Sequence, residues 1–213
     1  MHYPRKFVFG TNGEDPSMSV KEFQSLPQAL RYSYHLIFGH NANELLDFIH
    51  PDTITLTVLR DPIDRIVSHY FYVKQEKRHY LHERVMKSNI QLEDYVSYGL
   101  STELRNWYTT YFTGLSIEEA ETEAEESVRR AAEVILGRYD IIGFQDDLSA
   151  VMIKLRNAAK LSKPFDAQVR YLASRRISLQ EVPKNIIKTI SEVNFLDVKF
   201  YALLKKLVGS KIQ

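Results

Sequence analysis

Arg60 and Ser68 flank an Asp-Pro turn in TITLTVLRDPIDRIVSHY, residues 53–70. A guanidinium fork and a hydroxyl brought beside a helix N-terminus suit a phosphate monoester. The fork matches phosphate oxygens in pairs, and the free backbone N–H groups and dipole of a helix start favour negative charge. His40 offers a different chemistry. An unperturbed imidazole titrates near about pH 6.5, so its neutral form can accept a proton from a hydroxyl at neutral pH. His40 follows Gly39 at the end of a segment read as a strand, where open α/β sheets build their sites. His35 and His50 have no comparable setting, and no His, Asp or Glu spacing points to a metal site.

The elements that must hold these groups are written into the same stretch. From Thr53 to Leu59 the chain alternates Thr with Ile, Leu and Val, the period of a strand suited to burial in a sheet. Asp61 can cap the following helix, Pro62 fits its first position, and Asp64 suits the positive end of its dipole. Ile63, Ile66, Val67, Tyr70 and Phe71 recur at helical spacing, which predicts a face packed on the sheet and places Arg60 and Ser68 together beside the helix N-terminus. These residues alone also admit an ordinary βα unit in which Arg60 pairs with an Asp and Ser68 has no special role.

Upstream, residues 1–28 read as loop or irregular structure, Tyr32 to Phe38 as a strand, and Glu44 to Ile49 as a short helix. Downstream, Lys74 to Lys87 reads as a flexible, solvated basic surface; its functional alternative is contact of Lys74, Lys77, Arg78 and Arg84 with an anionic glycan. Helical spacing covers Leu92 to Tyr98, Thr102 to Phe112 and Ile117 to Leu136, with Trp107, Tyr108 and Tyr111 as core and Glu118 to Glu126 as a solvated face. Tyr139 to Phe144 reads as a short buried strand, Asp146 or Asp147 as the cap of a helix to Leu161, and residues 182–208 as one long or broken helix behind Pro183. No repeat or linker divides the chain, so one domain over residues 1–213 is expected, with strands and helices in a three-layer α/β arrangement around a parallel sheet.

Composition narrows the function classes. With 44% apolar and 12% aromatic residues the chain is globular rather than disordered. Its 28 basic against 27 acidic residues give no global excess to attract nucleic acid or a membrane surface, so anion recognition must be local. The absence of cysteine excludes disulfides and thiolate metal sites and fits a reducing compartment. No apolar stretch approaches the roughly 20 residues that span a bilayer, and the N-terminus is read as lacking a signal-peptide h-region. A soluble, cytoplasmic protein is expected.

At Leu59, Arg60, Asp61, Pro62, Arg65, Ser68 and Tyr70 the chain resembles the carbohydrate sulfotransferases, in particular the uronyl and heparan sulfate 2-O-sulfotransferase branch and its bacterial relatives. Their strand, turn and helix read like LRDPxxRxxSxY. Similar too are RNWYTTYFTG, Arg105 to Gly114, which resembles the family's Asn-containing helix ending in Gly, then AAEVILGRYDIIGFQDDL, and NFLDVKFYALL, which resembles its closing N-x-x-D-x-x-x-Y helix. The resemblance implies a P-loop-NTPase-like three-layer fold. It also implies that 3′-phosphoadenosine 5′-phosphosulfate is the donor, with its 3′-phosphate on Arg60 and Ser68, that His40 is the base, and that the acceptor is a carbohydrate hydroxyl. Phe38 stands where the family often carries a second histidine. The family's first strand and its PKTGGT-like loop, which hold the 5′-phosphosulfate, have no counterpart in these residues. The expectation is therefore an N-terminally incomplete domain, explained by a start placed too far downstream, a truncated inactive remnant or a partner chain that supplies the loop; by itself it should bind donor product weakly, transfer no sulfate and be marginal or a homo-oligomer. Two other readings stand beside it. One is a non-catalytic remnant that binds a nucleotide or an anionic glycan; the other, a P-loop kinase, is disfavoured because GxxxxGK[ST] is absent.

Overall fold

The computed structural model describes residues 7–10, 18–39, 42–162 and 177–210. The chain divides into two compact units, Met1–Thr55 and Leu56–Gln213.

In the first unit, β1 (Phe7–Gly10) runs parallel to β2 (Leu36–Gly39), in register from Phe7 opposite Leu36 to Gly10 opposite Gly39. Between them come α1 (Val20–Ser25) and α2 (Gln28–Arg31), and a 3-10 turn, Ala42–Leu45, follows. Residues 1–28 are thus not irregular throughout, and a parallel strand does precede β2 where the first strand was expected to be missing. Four residues are too few for a periodic signal, so β1 becomes a strand only through its pairing with β2. The start of α1 did carry a signal: the Ser19 hydroxyl accepts from Glu22 N–H at 3.2 Å while the Glu22 carboxylate accepts from Ser19 N–H at 2.7 Å. β2 begins later than Tyr32 because α2 runs to Arg31 and Tyr32 still donates its N–H to Gln28 O at 2.9 Å. The helix expected over Glu44 to Ile49 is the earlier and shorter 3-10 turn. Phe23 and Leu45 are wholly buried at the centre of this unit, and Arg31 binds the chain around them, donating to Phe48 O, Gln24 O and Leu26 O at 3.1, 2.9 and 2.7 Å.

The second unit opens with β3 (Leu56–Leu59) and α3 (Pro62–Gln75), followed by α4 (His82–Lys87) and α5 (Leu92–Ser97). A 3-10 turn at Thr102–Leu104 leads to α6 (Trp107–Thr113), α7 (Ile117–Thr122) and α8 (Ala124–Arg138). The chain continues through β4 (Ile141–Phe144), α9 (Leu148–Ala158), α10 (Lys184–Val193) and α11 (Phe195–Ser210). β3 pairs parallel with β4, Leu56 opposite Ile141 through Leu59 opposite Phe144.

Two apolar clusters hold this unit together. Among the described residues the apolar face of α3 packs chiefly on other helices rather than on strands. Ile66, Val67, Tyr70 and Val73 join Leu81 and Val85 of the α4 region, Leu92, Tyr95 and Val96 of α5, and Ile190 of α10. Helices α8 and α11 cover the strand pair instead, with Leu59 and Ile142 meeting Ala131, Ile135, Leu196, Phe200 and Leu204. Residues 74–87, expected to be a flexible surface, are anchored by buried His79, Leu81 and Val85; Lys77, Arg78 and Arg84 stay exposed. The expected helix over Thr102 to Phe112 breaks at Asn106, whose φ of 49° is left-handed, and the one over Ile117 to Leu136 breaks at Glu123. Of the two acids offered as caps for α9, Asp147 accepts from Ala150 N–H, at 3.3 Å.

Candidate functional site

Leu59 is buried at the end of β3, and the chain passes through Arg60 into the cap of α3. The cap forms as its residue types require. Asp61 Oδ1 accepts from Ile63 N–H at 2.9 Å and Asp64 N–H at 3.0 Å, and Asp61 O accepts from Arg65 N–H at 2.8 Å. Because Pro62 has no N–H, these bonds engage every backbone donor of the first turn. The free amides expected there are already spent. Any anion chemistry at this corner falls to side chains.

Arg60 donates from Nε to Asp64 Oδ2, four residues on, with the two side chains 22% and 18% exposed. This is the carboxylate pairing that the residues also allowed. Asp64 and Ser68 are separated by one helical turn and so share a face of α3. Arg60, Asp64 and Ser68 therefore form a line along the start of the helix. The terminal guanidinium nitrogens of Arg60 and the half-buried hydroxyl of Ser68 make no hydrogen bond among the described residues. With Nε committed to Asp64, the remaining edge of the fork can take a second, doubly hydrogen-bonded anion. His40 lies outside the described residues; Gly39, its neighbour, ends β2, where Phe38 is half-exposed.

Behind this corner stands a polar network that the sequence reading did not find. Arg60 N–H donates to the hydroxyl of Tyr108 at 3.2 Å, and the same hydroxyl donates to Arg60 O at 3.2 Å. Tyr108 belongs to the first turn of α6, whose own donors are met by a residue far along the chain. Asp197 Oδ2 accepts from Tyr108 N–H at 2.9 Å, and Asp197 Oδ1 accepts from Thr109 N–H at 2.9 Å and the Thr109 hydroxyl at 3.0 Å. Asp197 is fully buried, and burial pushes its carboxyl above the ordinary range, opposed by the charge of Arg65 and by these donors.

Asn106 and Asn194, both fully buried, complete the joint. Asn106 N–H donates to Asn194 Oδ1 at 3.1 Å, Leu196 N–H donates to Asn106 Oδ1 at 3.0 Å, and Asn194 Nδ2 donates to Leu104 O at 3.0 Å. The RNWYTTYFTG and NFLDVKFYALL segments thus meet through their polar residues. A signal was present: Asn194 and Asp197 sit on the same side of the α11 pattern as buried Phe200 and Tyr201. A polar residue on an apolar face needs a partner inside. Glu121, expected on a solvated face, also turns inward, accepting from Asn106 Nδ2 at 2.8 Å and from Arg105 Nε at 2.7 Å.

A second polar group is built around His69 of α3. The Tyr95 hydroxyl and His69 Nδ1 are 2.7 Å apart, and His69 Nε2 is 3.5 Å from Glu103 Oε2. The contact with His69 holds the Glu103 carboxyl below its usual range against the opposing effect of burial. Arg65 connects this group to the first: its guanidinium lies over the Tyr108 ring at 5.3 Å and its Nη2 donates to Glu103 O at 2.8 Å. Trp107 and Tyr111, read as core, are stacked at 5.4 Å and line an open groove of about 490 Å³ together with Thr110, Ser116 and Glu118.

Among the described residues no group of three or more His, Cys, Asp or Glu could hold a metal ion, and no helix is long and apolar enough to cross a membrane. A search of curated proteins found no match. Residues 5–203 match the sulfotransferase family, a span that takes in β1, the Arg60 corner, α6 and the Asp197 joint. The chain belongs to the sulfotransferase family.

Proposed function

We propose that this protein moves a sulfuryl group from 3′-phosphoadenosine 5′-phosphosulfate to a hydroxyl, the acceptor being a carbohydrate, and that its nucleotide site is the Arg60 corner. One observation carries the reading: in a member of the sulfotransferase family, the two terminal nitrogens of the arginine between β3 and α3 make no hydrogen bond among the described residues while Asp64 holds its Nε, and Ser68 lies on the same helix face. In this proposal the 3′-phosphate takes the free edge of the guanidinium and the Ser68 hydroxyl. His40 accepts the proton of the acceptor hydroxyl as its oxygen bonds to sulfur. The bond from sulfur to the bridging phosphate oxygen breaks, and adenosine 3′,5′-bisphosphate leaves. The family's three-layer fold around a parallel sheet belongs to the same reading and is supported by the parallel pairing in both units.

The test is a calorimetric titration of adenosine 3′,5′-bisphosphate into wild type, Arg60→Ala and Ser68→Ala, beside a radiolabelled-sulfate assay on a glycan panel. A charge-assisted hydrogen bond is worth about 1.5–3 kcal/mol, so Arg60→Ala should weaken binding about ten-fold or more. Equal affinity in wild type and Arg60→Ala removes the corner as the nucleotide site. His40→Ala should bind normally and lose transfer by about 10² to 10⁴. Nucleotide binding by wild type without transfer to any glycan favours the non-catalytic binding protein, or a domain that needs the 5′-phosphosulfate loop supplied, instead.

A further inference from the structure

We infer that Tyr108 is the positioning residue for Arg60: its hydroxyl fixes the peptide from which the guanidinium reaches the 3′-phosphate, and Asp197 fixes Tyr108 in turn. The inference deepens the nucleotide-site reading and rests on it. Arg60 follows the last paired residue of β3, so the strand ladder that ends at Leu59 opposite Phe144 does not hold its backbone. Asp61 and the first turn of α3 satisfy residues 63–65 but not residue 60. The peptide groups of Arg60 meet one hydroxyl, which accepts from its N–H and donates to its C=O, each at 3.2 Å. A single oxygen serving both sides of one residue restrains its φ and ψ together.

That oxygen is itself well anchored. Tyr108 N–H is held by buried Asp197 on α11, its ring lies under Arg65 at 5.3 Å, and the ring of Phe200 is 6.3 Å away. Burial pushes the phenol above its ordinary value, against the pull of the Arg65 charge and the bond to Arg60, so Tyr108 keeps the proton it donates. Arg60, Arg65, Tyr108 and Asp197 thus form one chain of contacts, from the α11 helix to the guanidinium. A bidentate contact tolerates little displacement of the fork. Loosening the Arg60 peptide should therefore cost the ligand that uses the fork and spare one that does not.

The experiment compares two probes, adenosine 3′,5′-bisphosphate and adenosine 5′-monophosphate, which differ by the 3′-phosphate. They are titrated into wild type, Tyr108→Phe, Arg60→Ala and the double variant, with thermal melting of each. Tyr108→Phe should weaken the bisphosphate about ten-fold, the loss expected for two neutral hydrogen bonds. It should leave the monophosphate unchanged and add nothing in the Arg60→Ala background. Equal weakening of both probes, full additivity with Arg60→Ala, or no change in either probe overturns the inference. Failure of the underlying reading looks different: wild type would not distinguish the two probes. Should Tyr108→Phe fail to fold, amide exchange in wild type decides. Arg60 N–H should exchange at least 100-fold more slowly than in an unstructured peptide, and slower still with bisphosphate bound; exchange at the unstructured rate overturns the inference.

Discussion

Replacing Asp197 by alanine would leave three donors facing an apolar methyl. The two backbone N–H groups, of Tyr108 and Thr109, now sit 2.9 Å from its carboxylate oxygens, and the Thr109 hydroxyl sits at 3.0 Å. Asp197 and Thr109 are fully buried and Tyr108 is largely covered, so water cannot easily take over. Each orphaned buried donor costs about 1–3 kcal/mol. Removing a charge that burial disfavours offsets part of that sum, which leaves a net loss of about 3–5 kcal/mol. For a chain of this size that corresponds to a fall in Tm of roughly 10 °C. Asp197→Asn keeps one acceptor oxygen and should fall between wild type and alanine.

The pH dependence has a defined sign. Burial raises the carboxyl above 3.8. Between that value and its folded value, the native state retains a proton that the unfolded chain has released, so this group's contribution to stability falls as pH rises. Asp197→Ala should lose that slope. Urea unfolding of the three proteins across acidic pH is the measurement. A loss under about 1 kcal/mol for alanine, or an asparagine variant no better than alanine, would refute the argument that Asp197 satisfies the start of α6.

Other outcomes follow from the same physics. Glu103 is held low chiefly by its contact with His69, so its contribution is present above the ordinary carboxylate value of 4.5 and is lost as pH falls through the folded value; Glu103→Gln should flatten the acid limb of the stability profile, and an unchanged limb below pH 4.5 would discount the contact. A Cβ added at Gly143 in β4 would lie 2.2 Å from Val151 Cγ2 on α9, so Gly143→Ala should destabilise by about 1–3 kcal/mol. Val151→Ala in the same chain should recover part of that loss in chemical denaturation, and strict additivity of the two substitutions would show that the close approach is not its source.

The segment around the Arg60 corner was largely legible in sequence because its determinants are local. Asp61, Pro62 and the apolar spacing of Ile66, Val67 and Tyr70 act within two helical turns, and the cap and helix formed where those residues placed them. Local signals also explain α1, whose Ser19 and Glu22 reciprocate as a capping box, even though a reading of the surrounding Gly and Pro residues passed over it. What local order cannot reveal is the partner a polar or apolar face will find. Sequence spacing showed that α3 has an apolar face, but only packing decided that helices α4, α5 and α10, not strands, would cover it. Asp61 looked like a cap that leaves donors for an anion; the folded cap spends those donors on Asp61 and ties Arg60 to Asp64, contacts within four residues that the residue types allowed but did not by themselves select. The joint of Asn106, Tyr108 and Thr109 with Asn194 and Asp197 links residues some 90 positions apart. A hydrogen bond between such groups is favoured only once both are buried together, and burial is a property of the folded chain, so no window of sequence contains it.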